Sequence, residues 1–157
     1  MSRSISTNPV RKGYPVNHEL IFSLAGLMAM AGWVALLLSP LIPVWSDRIA
    51  GLIAPGILSA GYVVIPLGFP APGGGFGSFA EVSALFSHAD ALMAGWVHFL
   101  AFDLLIGAWI CRQGRRDGLP FWSVAPCLPV TFLFGPAGFL LFLLVRAGHG
   151  LAVARHP

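Results

Sequence analysis

Four long apolar runs, set apart by polar or Pro/Gly-rich breaks, organise the sequence. Leu20–Leu38 closes at Ser39, Pro40 and Pro43, and Ile49–Leu67 carries Pro55 near its start and Pro66 near its end. Ala91–Cys111 stops at the basic stretch "RQGRRDG", and Phe121–Val145 contains Pro126, Pro129 and Pro136. Each run is close to the roughly 20 residues a helix needs to cross about 30 Å of hydrocarbon. None alternates with a period of two, as barrel strands do, and backbone groups in lipid must pair within their own segment. The pattern predicts an all-α polytopic membrane protein: four transmembrane helices in one bundle, a single domain over residues 1–157.

The connections differ in kind. Short turns join the first run to the second and the third to the fourth, whereas "GFPAPGGGFGSFAEVSALFSHAD" lies between the second and third. Its Pro/Gly half cannot be a regular helix. In its second half Ser78 with Glu81 fits a capping box, and Phe79, Val82 and Phe86 recur at helical spacing, which predicts a short interfacial helix or a lid over the bundle mouth. Ser87 with Asp90 reads as a second box opening the third span. Four crossings place both chain ends on one face. The basic residues then divide five against four, with Arg3, Arg11, Lys12, Arg146 and Arg155 opposite Arg48, Arg112, Arg115 and Arg116, and the division sets no orientation.

Composition agrees with the pattern. The chain is 57% hydrophobic and 10% charged, with a mean hydropathy of +0.81. A soluble domain carries about 25% charged residues, so too little polar surface exists to coat a globule in water. The net charge of +3 is spread over chain ends and loops, which indicates headgroup anchors rather than a nucleic-acid surface. Membrane lipids are therefore the general partner; the expected location is a bacterial inner membrane. The first run is longer than a signal-peptide core and no clean cleavage site follows it, so it reads as a retained helix. Cys111 and Cys127 have no CxxC or Cys/His spacing and read as buried thiols.

The candidate chemistry sits in "WVHFLAFDLLIGAWICRQGRRDG". Asp103 lies about 18 Å along the third helix, past the bilayer middle. An ionised Asp there costs about 2.5–3.5 kcal/mol on insertion scales, so it must face the bundle interior and be paired or used. A hydrogen bond to Thr131 or to a carbonyl freed by a proline is the structural alternative. His98 is about 10 Å into the same helix, and its offset puts it about 140° around the axis from Asp103. The two could line opposite sides of one cavity as a general acid and base. Trp96, Phe99 and Phe102 offer aromatic ligand surface or simple packing. Gly135 and Pro136 make the sharpest break of the fourth run, either a kink or a helix bent around a ligand. A metal site from His88, Asp90 and His98 has no recognised spacing, and no cofactor fingerprint is present.

"GWVHFLAFDLLIGAWI" followed by "PCLPVTFLFGPAGFLLFLLVR" resembles the ABA4-like family of small polytopic membrane proteins. The W-V-H-x-L-A-x-D pattern falls on Trp96, Val97, His98, Leu100, Ala101 and Asp103, and C-L…G-P-x-G on Cys127, Leu128, Gly135, Pro136 and Gly138. The resemblance implies a carotenoid or other long isoprenoid as ligand, since plant members are required for making neoxanthin from violaxanthin. It further implies an isomerase of the epoxide-opening type with no cofactor, in which Asp103 and His98 are catalytic and Trp96, Phe99, Phe102, Thr131, Gly135 and Pro136 line the ligand. The competing class is a non-catalytic pigment-binding or assembly subunit, as a homo-oligomer or in a membrane complex.

Overall fold

A computed structural model describes residues 17–68 and 72–155, and among them the only regular elements are helices joined by turns. Arg3, Arg11, Lys12 and the start of the Pro/Gly loop at 69–71 lie outside the described residues. Helix α1 spans His18–Leu37, with the Asn17 side chain accepting a hydrogen bond from the Leu20 N–H at 3.1 Å. Helix α2, Pro43–Arg48, runs through a π-helical turn, Ile49–Ile53, into α3, Ala54–Gly68. The turn has a local cause. Pro55 has no N–H for the Gly51 carbonyl and its ring crowds that carbonyl, so the ladder widens and the Ala54 N–H reaches back to Ile49 O. The short helix α4 is Phe79–Phe86, and α5, Ala89–Arg116, is the longest element at 28 residues.

The last run is where the expected and observed helices part. It forms α6 (Phe121–Val124), α7 (Cys127–Phe134) and α8 (Pro136–Arg155) rather than one kinked helix over 121–145. Four helices are long and apolar enough to cross a membrane: His18–Leu37, Pro43–Ile65, Ala89–Arg116 and Pro136–Val153. Phe121–Phe134 is apolar but shorter.

Helix α5 is the central post and packs against α1, α3, α6, α7 and α8. Small residues set the approach of its neighbours. Leu104 fills the space over Gly32, Trp33 and Leu36 cover Gly107, and Val124 covers Gly114. Removing such apolar side chains from contact with lipid gains little by hydrophobicity, so close packing and shape hold these helices together. Polar side-chain contacts fasten the ends. His18 Nε2 meets Asp90 Oδ1 at 2.7 Å where α1 and α5 begin, and near the far end Arg115 of α5 holds Asp47 of α2 at 2.6 Å. Asp90 is thus engaged by His18; the second capping box is not formed, and Ser87 Oγ donates instead to Ala84 O at 2.6 Å.

The first capping box forms in part. Ser78 Oγ accepts from Glu81 N at 3.2 Å, but the Glu81 carboxylate accepts from Gly77 N, one residue before the cap, at 3.0 Å. Phe86 seats α4 on Gly95 of α5, while Phe76 and Phe79 are 84% and 89% exposed, as suits an interfacial anchor. Amide exchange is therefore expected to be fast over 72–77 and slower over 79–86. Uniform strong protection across both stretches would show that this loop is not the mobile cover its composition suggests.

Candidate functional site

Helical periodicity on α5 separates the expected site residues into different sectors. Val97, Leu100, Ala101, Asp103, Leu104, Gly107 and Ala108 face inward and are buried. His98 and Phe102 face outward, as does Trp96, and Phe99 is half-buried. The two titratable groups are therefore not brought together. Asp103 points to the interior, whereas the His98 ring stacks on Phe102 with centroids 4.4 Å apart and lies 5.3 Å from the Tyr62 ring of α3. On the α1 side, Phe22, Trp96 and Phe99 form a second aromatic row, at 5.4 Å and 5.6 Å.

Asp103 meets the break in the last run. Gly135 has φ +40°, a left-handed backbone that favours glycine, and a Cβ there would sit 2.9 Å from Asp103 Oδ1. The missing side chain lets the turn between α7 and α8 lie directly against the carboxylate. Asp103 is 8% exposed, and its Oδ2 is buried with no hydrogen-bond partner. Thr131 is fully buried, but its hydroxyl donates to Cys127 O at 2.8 Å, so the structural alternative of an Asp103–Thr131 hydrogen bond is not formed. A buried acid with an open acceptor, beside broken backbone, can deliver a proton to a ligand oxygen or hold a ligand hydroxyl.

Pro136 opens α8 at its first position, where a proline loses nothing by lacking an N–H. Gly138 packs so closely on Thr131 that a Cβ would overlap its hydroxyl and backbone. Residues three beyond the turn thus touch residues four before it, and the run folds back on itself. This reversal accounts for the C-L…G-P-x-G pattern: Gly135 makes the turn, Pro136 starts the return helix, and Gly138 permits the close crossing. The residue-20–142 segment that contains it all matches the family model described as ABA4-like, ABA DEFICIENT 4-like. The chain belongs to the ABA4-like family. No curated protein and no solved structure matches it.

Within this ABA4-like chain the structure adds a residue that the sequence pattern does not single out. Trp33 of α1 is 5% exposed, lies edge-on to Phe132 of α7 at 5.5 Å, and covers Gly107 one turn beyond Asp103. Its indole N–H is buried without a partner. Only its central place in α1 could have marked it. An apolar groove of about 480 Å³ lies between the arms of the fourth run, lined by Trp122, Cys127, Leu141, Val145 and His149 among others. The residues weighed as metal ligands take separate partners: His88 reaches Pro72 O at 3.2 Å, Asp90 holds His18, and His98 stands in the outer aromatic row.

Proposed function

We propose that this protein, placed in a bacterial inner membrane, takes a carotenoid or related long isoprenoid and isomerises it by opening an epoxide, without a cofactor. The observation that carries the reading is the unpartnered Asp103 oxygen, buried in the bundle beside Gly135. The ligand class is what the resemblance to ABA4-like proteins implies, and membership of that family supports it. In the step proposed, a protonated Asp103 delivers its proton to the epoxide oxygen and the carbon–oxygen bond breaks. A neighbouring carbon then loses a proton to the carboxylate, restoring the acid. No atom is gained or lost, as an isomerisation requires, and the apolar surroundings exclude water that would otherwise trap the cation.

The sequence pattern gives His98 the carbon-bound proton. Its outward position supports a different part in this reading: with Phe102 and Tyr62 it offers a flat aromatic surface to a conjugated chain lying along the bundle. Trp96 and Phe99 offer a second such surface on the α1 side, while Gly135 lies against Asp103, with Thr131 and Pro136 next to it in the turn as further candidates for the ligand wall. The exposed aromatic rows also favour a second reading, a pigment-binding subunit without catalysis. Pigment profiles of a carotenoid-producing host with and without the protein separate the two. A changed carotenoid of unchanged mass is expected. An unaltered profile with pigment co-purifying would favour the binding subunit, and an unaltered profile with no bound pigment would overturn both.

A further inference from the structure

We infer that the fourth apolar run is a re-entrant hairpin, entering and leaving the membrane on the face where α1 ends, and that this face is cytoplasmic. The inference rests on the helix register and is independent of the proposed chemistry.

Two faces of the bundle are fixed by α1 and α5, which run side by side in the same direction. Their starts are joined by His18 and Asp90 and their ends by Cys111 approaching Leu36 O, while Arg115 holds Asp47 of α2, which follows α1. Along α5, the contacts of α6 and α7 run backwards: Val124 lies at Gly114, and Gly135 at Asp103. The contacts of α8 then run forwards: its first turn starts at Asp103, Phe139 and Phe142 meet Trp109, and Arg146 pairs with Asp117. Both arms line one groove, Trp122, Ser123 and Cys127 from the first and Leu141, Val145 and His149 from the second, as antiparallel arms would. The run therefore dips from the end of α5 to the depth of Asp103 and returns.

Depths agree. Asp103 to Arg112 is about 13 Å along α5, and Pro136 to Arg146 is about 15 Å along α8. Helix α8 is long enough to cross a membrane by itself, but its first residue already stands deep inside, and it heads back to the basic end of α5. Arms too short to span, shielded by other helices, are the form in which interrupted backbone is tolerated at membrane depth. The buried faces of the hairpin, at Val124, Cys127, Leu128, Thr131 and Phe142, provide that shielding.

The start of α1 and the end of α8 consequently lie on opposite faces. This moves Arg146 and Arg155, at the end of α8, to the face that already holds Arg48, Arg112, Arg115 and Arg116. All six basic residues among the described residues then share one face, and their excess marks it as cytoplasmic.

The test uses single cysteines at exposed positions of the full chain and a membrane-impermeant maleimide on intact cells. Ser83→Cys on α4 reports one face, Arg116→Cys the other, and Gly150→Cys the end of α8. The unsubstituted protein, whose Cys111 and Cys127 are buried, gives the background. Ser83→Cys is expected to label in intact cells, and Arg116→Cys and Gly150→Cys only after permeabilisation. Gly150→Cys labelling together with Ser83→Cys, while Arg116→Cys is protected, would overturn the hairpin. Agreement of Arg116→Cys with Gly150→Cys, but with both labelled from outside, would uphold the hairpin and overturn the orientation.

Discussion

Asp103→Asn is expected to abolish pigment conversion while leaving the fold in place. Asparagine is nearly isosteric, so it fits beside Gly135, where a single added carbon would come within 2.9 Å of the carboxylate. An amide cannot deliver a proton, and general-acid catalysis is worth about 10²–10⁴-fold. The measurement is conversion beside thermal stability in detergent. Asp103→Leu supplies the contrast: it removes a buried oxygen that has no partner, so stability should hold or rise while conversion is lost. His98→Gln, at an outward position stacked on Phe102, should weaken ligand retention more than conversion. A fully active Asp103→Asn protein would rule out Asp103 as the proton donor.

Gly138→Ala is expected to be the most damaging small substitution in the molecule. The added carbon would run into the hydroxyl, N and Cα of Thr131, and backbone atoms cannot swing aside as a side-chain tip can. Overpacking of this kind costs about 1–3 kcal/mol, and here it acts on the crossing that holds the hairpin closed. Gly148→Ala, further along the same helix with nothing within 4 Å, is the control. It should be neutral or stabilising by up to about 1 kcal/mol through helix propensity. Thermal unfolding followed by size-exclusion would compare them. Equal melting of Gly138→Ala and the unsubstituted protein would mean that α7 and α8 are not held at this distance.

Much of the architecture was legible in the sequence because bilayer thickness is a strict ruler. The first and third runs became α1 and α5, and Ser78 with Glu81 capped α4 as expected. The inward placement of Asp103 followed from the cost of charge in lipid, and the structure buries it. The angle at Gly135 was not legible. Proline and glycine announce a break, but the reversal depends on Gly138 meeting Thr131, a contact between residues that a kinked helix would hold apart. The face taken by His98 was not legible either, since its offset from Asp103 fits a shared cavity as readily as opposite sides of a post. Likewise Asp90 could cap its own helix or pair with α1, and the geometry of His18 decides.

Asp117 shows how the hairpin is tied at its open end. The Gln113 amide, and then Arg146, hold its carboxyl below the usual carboxylate range. Its contribution is present at neutral pH, where the carboxylate is ionised, and is lost only as pH falls through that lowered value.

The π-helical turn at Ile49–Ile53 sets the phase of everything that follows it in the second run. A π turn amounts to one extra residue accommodated in a helix. Taking one residue out of this stretch would restore a regular ladder but rotate α3 by about 100° against α2. Leu58 and Ile65 would leave the core, and Tyr62 would swing away from His98. The outer aromatic row thus depends on a count of residues laid down some ten positions earlier, at the opposite end of the helix.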